Sequence, residues 1–276
     1  MNKEEIEKRI RLGRDFITDI PTEDEEDYVT DQYLHLPQPP LVKAPMREES
    51  LVLPRDFNSL AIDGDFLHIV NSRSSHRVYT EEGISLEALS YLLWCTQGIK
   101  GLRGKSYATL RTVPCGGARH EFETYMIVRN VSGLEPGLYH YLPMTHSVEC
   151  LTVADDAKLK EEISVSLCEQ KWASKADVVF YYSAVHYRVE WRYGIHAHRV
   201  MLIDAGHITE NLYLACTSIG LGGCAVGALE TPYSNDLFGL DGEEETIFYA
   251  MPVGTIKMED EQKEKDFYAF VREEGL

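Results

Sequence analysis

Ile6, Ile10, Phe16 and Ile17 recur at helical spacing among charged residues, which predicts an amphipathic helix over residues 2–19, followed by an acidic run from Glu23 to Asp27. The stretch Leu36-Pro-Gln-Pro-Pro-Leu-Val-Lys-Ala-Pro45 cannot be helical, because its prolines fix φ and remove donors. It predicts an extended arm lying along a surface, embracing a partner subunit or acting as a linker. Beyond it, Leu86, Leu89, Leu92 and Leu93 form an apolar helix face, with Ser85 placed to cap the start and Gly98 the end. Phe122–Arg129 is rich in strand formers, and Leu138–Leu142 with Val148–Thr152 reads as a hairpin. Asp177–Ser183 is an almost continuous apolar run, as for a strand covered on both faces. Ile208, Leu212, Ala215 and Ile219 mark a helix over Val200–Ile219, ended by Gly220 and Gly222. The small-residue segment Leu221–Leu229 suits close approach of backbone to a flat ligand, and Thr246–Gly254 supplies a last strand. Interleaved helices and hairpins predict an α+β fold, with a mixed, mainly antiparallel sheet flanked by helices. The expected division is an N-terminal helix and arm over 1–59 and a compact body over 60–276.

A chain of 276 residues with 44% hydrophobic and 10% aromatic content has enough apolar surface for one large core. Its net charge of -18 argues against nucleic acid or an anionic membrane as partner, since both require a broad basic surface. Against that acidic background, Arg73 with Arg77, and Arg111 with Arg119, stand out as local cation clusters. Cysteines 95, 115, 150, 168, 216 and 224 contain no Cys-x-x-Cys pair, so reduced thiols are expected. No run approaches the roughly 18 apolar residues of a membrane span, and the N-terminus lacks a signal peptide's apolar centre, so a cytoplasmic location is expected.

Three elements suggest chemistry. The glycine-rich turn Arg111-Thr-Val-Pro-Cys-Gly-Gly-Ala-Arg-His120 would let backbone N–H groups approach an anion, with Arg111 and Arg119 as forked donors. In Ser72-Arg-Ser-Ser-His-Arg77, an extended backbone would point Arg73, Ser75 and Arg77 the same way. With the glycine turn after the long helix, they make a set suited to clasping a mononucleotide. His196, His198, Asp204 and His207 lack an i, i+4 pair, so no metal is expected. Neither a Gly-x-Ser-x-Gly elbow nor a Walker-type loop occurs.

The order Arg-x-Ser-x-Arg (73–77), Leu-Leu-Trp-Cys-Thr-Gln-Gly-Ile (92–99), the 111–120 turn, Gly-Leu-Tyr-His-Tyr (137–141), Asp-Ala-Gly-His (204–207) and Gly-Leu-Gly-Gly (220–223) resembles the FMN-dependent nitroreductase family. The similarity is strongest to its SagB-type dehydrogenase branch, which includes azoline-oxidising enzymes acting on peptides. The resemblance implies a homodimer with FMN at the subunit interface and ping-pong hydride transfer through flavin N5. NAD(P)H or a substrate C–H bond would be the reductant. It further implies that Arg73 and Ser75 meet the phosphate, with Ser74 beside them as a cofactor-binding residue, and that Arg77 lies near the pyrimidine edge. Pro114, Cys115 and Gly116 would come from the partner subunit's loop and the backbone at Val226 and Gly227 would face N5, with Gly117, Arg119, Gly223 and Ala225 as further cofactor-binding residues. Tyr193 is the catalytic candidate. Two positions depart from the branch: Cys115 stands where serine is common, and Arg192-Tyr193 where azoline dehydrogenases carry Lys-Tyr. Because arginine does not deprotonate in proteins, it cannot serve as the general base there. The alternative reading is a non-catalytic FMN-fold scaffold or flavin-binding protein within a peptide-modifying complex. Lys257 is a further basic residue that relatives would bring to phosphate.

Overall fold

The computed structural model describes residues 2–18, 28–105 and 107–257, so the acidic run at 23–27 lies outside the described residues. Helix α1 spans Lys3–Thr18, as the periodicity predicts, but buries none of its residues. The arm then runs over the body. Its prolines keep it extended, and its backbone N–H groups are taken by carboxylates of the sheet. Lys43 N–H donates to Glu123 Oε1 at 2.8 Å, while Met46 and Arg47 N–H donate to Glu149 at 3.0 and 2.6 Å. Strand β1 (Leu51–Val52) joins the main sheet and Leu53 enters the core, so residues read as arm contribute to the body.

The remaining elements in chain order are α2 (Phe66–Ser72), α3 (Leu86–Gln97), β2 (Ile99–Arg103), β3 (Ala108–Arg111), β4 (Phe122–Val128), β5 (Gly137–Leu142), β6 (Ser147–Val153) and α4 (Asp156–Ser166). They continue with β7 (Val178–Val185), α5 (His186–Tyr193), α6 (Ala197–Ser218), β8 (Leu221–Gly223), α7 (Thr231–Phe238) and β9 (Glu245–Thr255). Seven strands form one sheet in the order β1-β6-β5-β4-β7-β9-β8, every ladder antiparallel. Among the described residues parallel pairing is confined to isolated bridges, one of them Ser75 with Gly223.

Period-2 alternation in the central strands supplies two cores. From β4 and β7, Met126, Val128, Phe180 and Tyr182 face one side, against Leu89, Leu92 and Leu93 of α3 and Ile208, Leu212 and Ala215 of α6. Tyr125, Ile127, Val179 and Tyr181 face the other, against Leu159 and Ile163 of α4 and Phe238 of α7. Each buried Val, Leu, Ile, Met or Phe among them contributes about 1.5–3 kcal/mol. Ser85 caps α3 through a hydrogen bond from Ala88 N–H, and Gly98 closes it. Helix α6 starts three residues earlier than its periodicity predicts, and Gly220, at φ 72°, turns the chain into β8.

The β2–β3 hairpin and helices α2, α4, α5 and α7 go beyond the sequence reading. None of the described helices is long and apolar enough to cross a membrane.

Candidate functional site

Helix α6 organises two polar clusters, one towards each end. At its C-terminal half, Tyr213 gathers residues from two other segments. Its hydroxyl lies 3.1 Å from Ser75 Oγ and accepts the backbone N–H of Ala225 at 2.8 Å. The Arg73 guanidinium stands over its ring, 5.3 Å from the centroid. His76 N–H donates to Gly223 O at 2.9 Å, and Val226 exchanges backbone hydrogen bonds with Ala250. Arg73, Ser75, Gly223, Ala225 and Val226 are therefore brought together, with Ser74 and Gly227 exposed beside them. A Cβ on Gly223 would stand 2.5 Å from Met251 Cε and 3.0 Å from Pro252 O, which explains the bare backbone at this crossing.

Arg77 takes another direction. Its guanidinium lies over Trp172, 5.6 Å from the ring, beside the second core, so the three side chains do not point the same way: Arg73 and Ser75 meet at Tyr213 and Arg77 does not. Lys257 pairs with Glu82 at 2.5 Å on the surface and does not join this cluster.

At the N-terminal half of α6, Asp204 holds the glycine turn: Gly116 N–H donates to its two oxygens at 2.9 and 3.1 Å. The Cys115 thiol lies 3.4 Å from Glu121 Oε2, and its sulfur accepts His120 N–H at 3.0 Å. Burial first, then the charges of Glu121 and Asp204, pushes the Cys115 thiol far above its ordinary range, so it is a neutral thiol rather than a nucleophile. Burial and the nearby Asp204 push Glu121 up to about 7. Gly117 sits at φ +56°, where a Cβ would strike Arg192 and lie 2.9 Å from the Tyr193 hydroxyl. Arg192 in turn donates to Gln32 Oε1 at 3.1 Å and to the Tyr107 hydroxyl at 2.9 Å. Tyr193 thus stands over the turn, with Arg192 tied into a hydrogen-bond network.

The two arginines that bracket the turn do different work from the expected anion binding. Arg111 is buried and donates to Gln97 Oε1 at 2.7 Å, Thr109 Oγ1 at 3.2 Å and Leu41 O at 3.4 Å, bracing the arm. Desolvation lowers it to about 10. Arg119 is also buried, packed between the rings of Tyr107 and Trp191 and donating to Tyr107 O at 2.7 Å. Both are internal struts.

Asp204 and Tyr213 are nine residues apart on one helix, a rise of about 13 Å. The glycine turn and the Arg73–Ser75 cluster are therefore separate clusters on this chain. A cavity of about 590 Å³ opens elsewhere, between Pro39, Pro40 and Pro45 of the arm and Leu142–Thr145, with Arg188 and Glu245 in its wall; none of the sequence-predicted site residues lines it.

The nitroreductase family profile matches residues 70–255, the span that holds both clusters. The chain belongs to the nitroreductase family. It is 32% identical over 186 residues to a Methanocaldococcus jannaschii protein provisionally named a nitroreductase, covering 67% of this chain and 88% of that one. It is 31% identical over 113 residues to the trifolitoxin-processing protein TfxB of Rhizobium leguminosarum bv. trifolii, covering 40% of this chain but 30% of that one. Its fold is similar to a chain of the Escherichia coli microcin synthetase McbBCD complex, solved with truncated pro-MccB17 bound. That match has a TM-score of 0.55 at 18% identity and covers 93% of this chain and 95% of the other. Membership places the chain in an oxidoreductase family, with the nitroreductase-like fold expected from its motifs.

Sequence reasoning missed Tyr213, Glu121 and Tyr107, and it quoted Asp204 without a role. Tyr213 carried a usable signal: a lone phenol amid the apolar positions of α6 needs a hydrogen-bond partner. Glu121 and Glu123, flanking the strand residue Phe122, are both buried carboxylates that period-2 patterning alone would have sent to solvent on one face.

Proposed function

We propose that this chain is an FMN-dependent oxidoreductase of the SagB-type branch, working as a homodimer. The observation that carries the proposal is the convergence of Arg73, Ser75 and the Gly223–Val226 backbone on Tyr213. A permanent cation and two hydroxyls at one point suit a phosphate, and the exposed backbone at Gly227 leaves the adjoining face open to a flat ring. Bound FMN would supply a two-electron hydride acceptor and donor, used in two half-reactions with NAD(P)H or a substrate C–H bond as the source of reducing equivalents.

The chain's own residues do the rest. Arg73, Ser74 and Ser75 bind the phosphate, and Gly223, Ala225, Val226 and Gly227 present backbone to the ring. Pro114, Cys115, Gly116 and Gly117 reach it from the partner subunit, as the family resemblance implies; in the chain itself their turn lies about 13 Å along α6 from Tyr213. Exposed apolar side chains on α2 and α6, Phe66, Leu67, Leu202 and Ile203, support burial against a second copy. Tyr193 is positioned by Gly117 and Arg192 to hold or move a proton at its hydroxyl. Arg192 stays protonated, so it cannot be the base that a lysine would be. The fragmentary match to TfxB and the fold likeness to McbBCD support the branch and a peptide-modifying setting.

The test is the flavin itself. Purified protein should bind FMN with a stoichiometry near one per chain; a colourless protein that fails to bind added FMN overturns the proposal. Anaerobic NAD(P)H should bleach the flavin absorbance, and an acceptor should restore it over many turnovers. Flavin binding without reduction by either NAD(P)H or a peptide substrate would favour the scaffold reading instead.

A further inference from the structure

The corner between α5 and α6 carries a cluster that the flavin reading leaves unused. His186 and Glu190 are four residues apart on α5, so one helical turn places them on the same face. Gly194, at φ 51° and ψ −125°, breaks the helix and turns the chain towards α6, whose first turn contributes His198. One ligand atom from each of the three residues lies within 4.8 Å of the other two. His198 Nε2 is 3.1 Å from Glu190 Oε1, and the two imidazole rings have centroids 5.9 Å apart. Nδ1 of His186 is buried with no hydrogen-bond partner among the described residues. His198 is about half exposed, so an ion could enter from solvent and keep water as a further ligand.

We propose that His186, Glu190 and His198 form a binding site for a divalent transition metal, with zinc as the ion that fits. Two imidazoles and one carboxylate are borderline N and O donors, which suit zinc and its neighbours over calcium or magnesium. Zinc bonds of about 2.0–2.2 Å would draw the three ligand atoms inward from their present separations, by side-chain rotation on a partly exposed surface. The ion would clamp α5 to α6 at the corner that carries Arg192 and Tyr193. It would thereby fix Tyr193 against the glycine turn. The expectation of no metal considered His198 with His196, Asp204 and His207; the fold instead brings it to the i, i+4 pair His186 and Glu190.

The site is tested on the full chain, free of any added histidine tag and stripped with a chelator, by calorimetric titration with zinc sulfate. One zinc per chain is expected, with a rise in Tm. His198→Ala and Glu190→Gln should each weaken binding at least tenfold. Both change partly exposed residues, and circular dichroism checks that they fold. Unchanged affinity in both variants overturns the proposal, as does retention of zinc by His198→Ala together with its loss in Cys115→Ser, which would move the ion to the glycine turn. The readout is metal binding, so it stands or falls independently of flavin content.

Discussion

Both carboxylate oxygens of Asp204 receive the backbone N–H of Gly116, at 2.9 and 3.1 Å, tying the glycine turn to the N-terminal half of α6. A charged acceptor on a backbone donor is worth about 1.5–3 kcal/mol. Asp204→Ala should therefore free the turn and lower Tm by several degrees, with a larger loss of flavin retention than of stability. Asp204→Asn keeps an acceptor oxygen and should lie between. Thermal denaturation alongside the ratio of flavin to protein after gel filtration separates the two effects. Equal losses in both quantities would refute a positioning role.

Gly117 is required by conformation and by space. It lies at φ +56°, and an added methyl would strike Arg192 and crowd the Tyr193 hydroxyl. Left-handed backbone alone costs an alanine about 1–2 kcal/mol. Gly117→Ala should cost about 2–4 kcal/mol in urea denaturation once the displaced arginine is included. Adding Arg192→Ala should recover the steric part and leave the backbone part. An unrecovered double variant would show that the strain lies elsewhere.

Glu121 gives the site a pH dependence. Burial and the nearby Asp204 raise its pKa to about 7, against about 4.5 for a free glutamate. Between those values the folded state holds more protons than the unfolded state, so this residue's contribution to stability falls as pH rises from about 4.5 to 7. Glu121→Gln removes the titration and keeps the contact with Cys115. The variant should gain on the wild type across that window, by on the order of 3 kcal/mol between its ends. Parallel denaturation curves at pH 5 and pH 8, with no relative change, would contradict the assignment.

What was legible in the sequence follows from where each signal was stored. The central strands β4, β5, β7 and β9 and helices α3 and α6 announce themselves by apolar periodicity, because they face cores. Helix α5 reads His-Tyr-Arg-Val-Glu-Trp-Arg-Tyr and begins without a side-chain cap, so neither pattern nor cap reveals it. Strand β2, Ile-Lys-Gly-Leu-Arg, is largely exposed and carries a central glycine, so alternation is invisible there. Charge misled most. The sequence offers Arg111 and Arg119 as forked donors for an anion, whereas Gln97, Thr109 and the rings of Tyr107 and Trp191 absorb them. Thr109 apart, their partners lie 12 or more residues away, beyond any local window.

Lys43 anchors the proline-rich arm. Its ammonium donates to Glu245 Oε2 at 2.5 Å and to the Tyr125 hydroxyl at 2.8 Å, while Ser183 Oγ donates to the other oxygen of Glu245. Removing the cation leaves Glu245, with a side chain only 10% exposed, without its countercharge. Lys43→Met should cost about 2–4 kcal/mol. It should also expose the arm to proteolysis before the body unfolds. The double variant Lys43→Met, Glu245→Gln should be more stable than Lys43→Met alone, since the stranded charge is gone. Cleavage of the arm at wild-type rates in the single variant would mean that Glu123 and Glu149 hold it unaided.

Tyr213 joins the cluster in the C-terminal half of α6. Its hydroxyl both meets Ser75 Oγ and accepts the Ala225 N–H, so it couples the Arg73–Ser75 segment to the backbone at Ala225–Gly227. Tyr213→Phe keeps the ring beneath the Arg73 guanidinium and removes only that link. A lost hydrogen bond of about 1.4 kcal/mol corresponds to a tenfold change in affinity. FMN affinity should therefore fall about tenfold by fluorescence titration. Arg73→Met removes the cation while preserving much of the contact with the ring, and it should weaken FMN further, with a loss that shrinks as salt is raised. Riboflavin, which lacks the phosphate, should bind wild type and Arg73→Met alike. A riboflavin affinity that falls in parallel with that of FMN would move Arg73 from the phosphate to the ring.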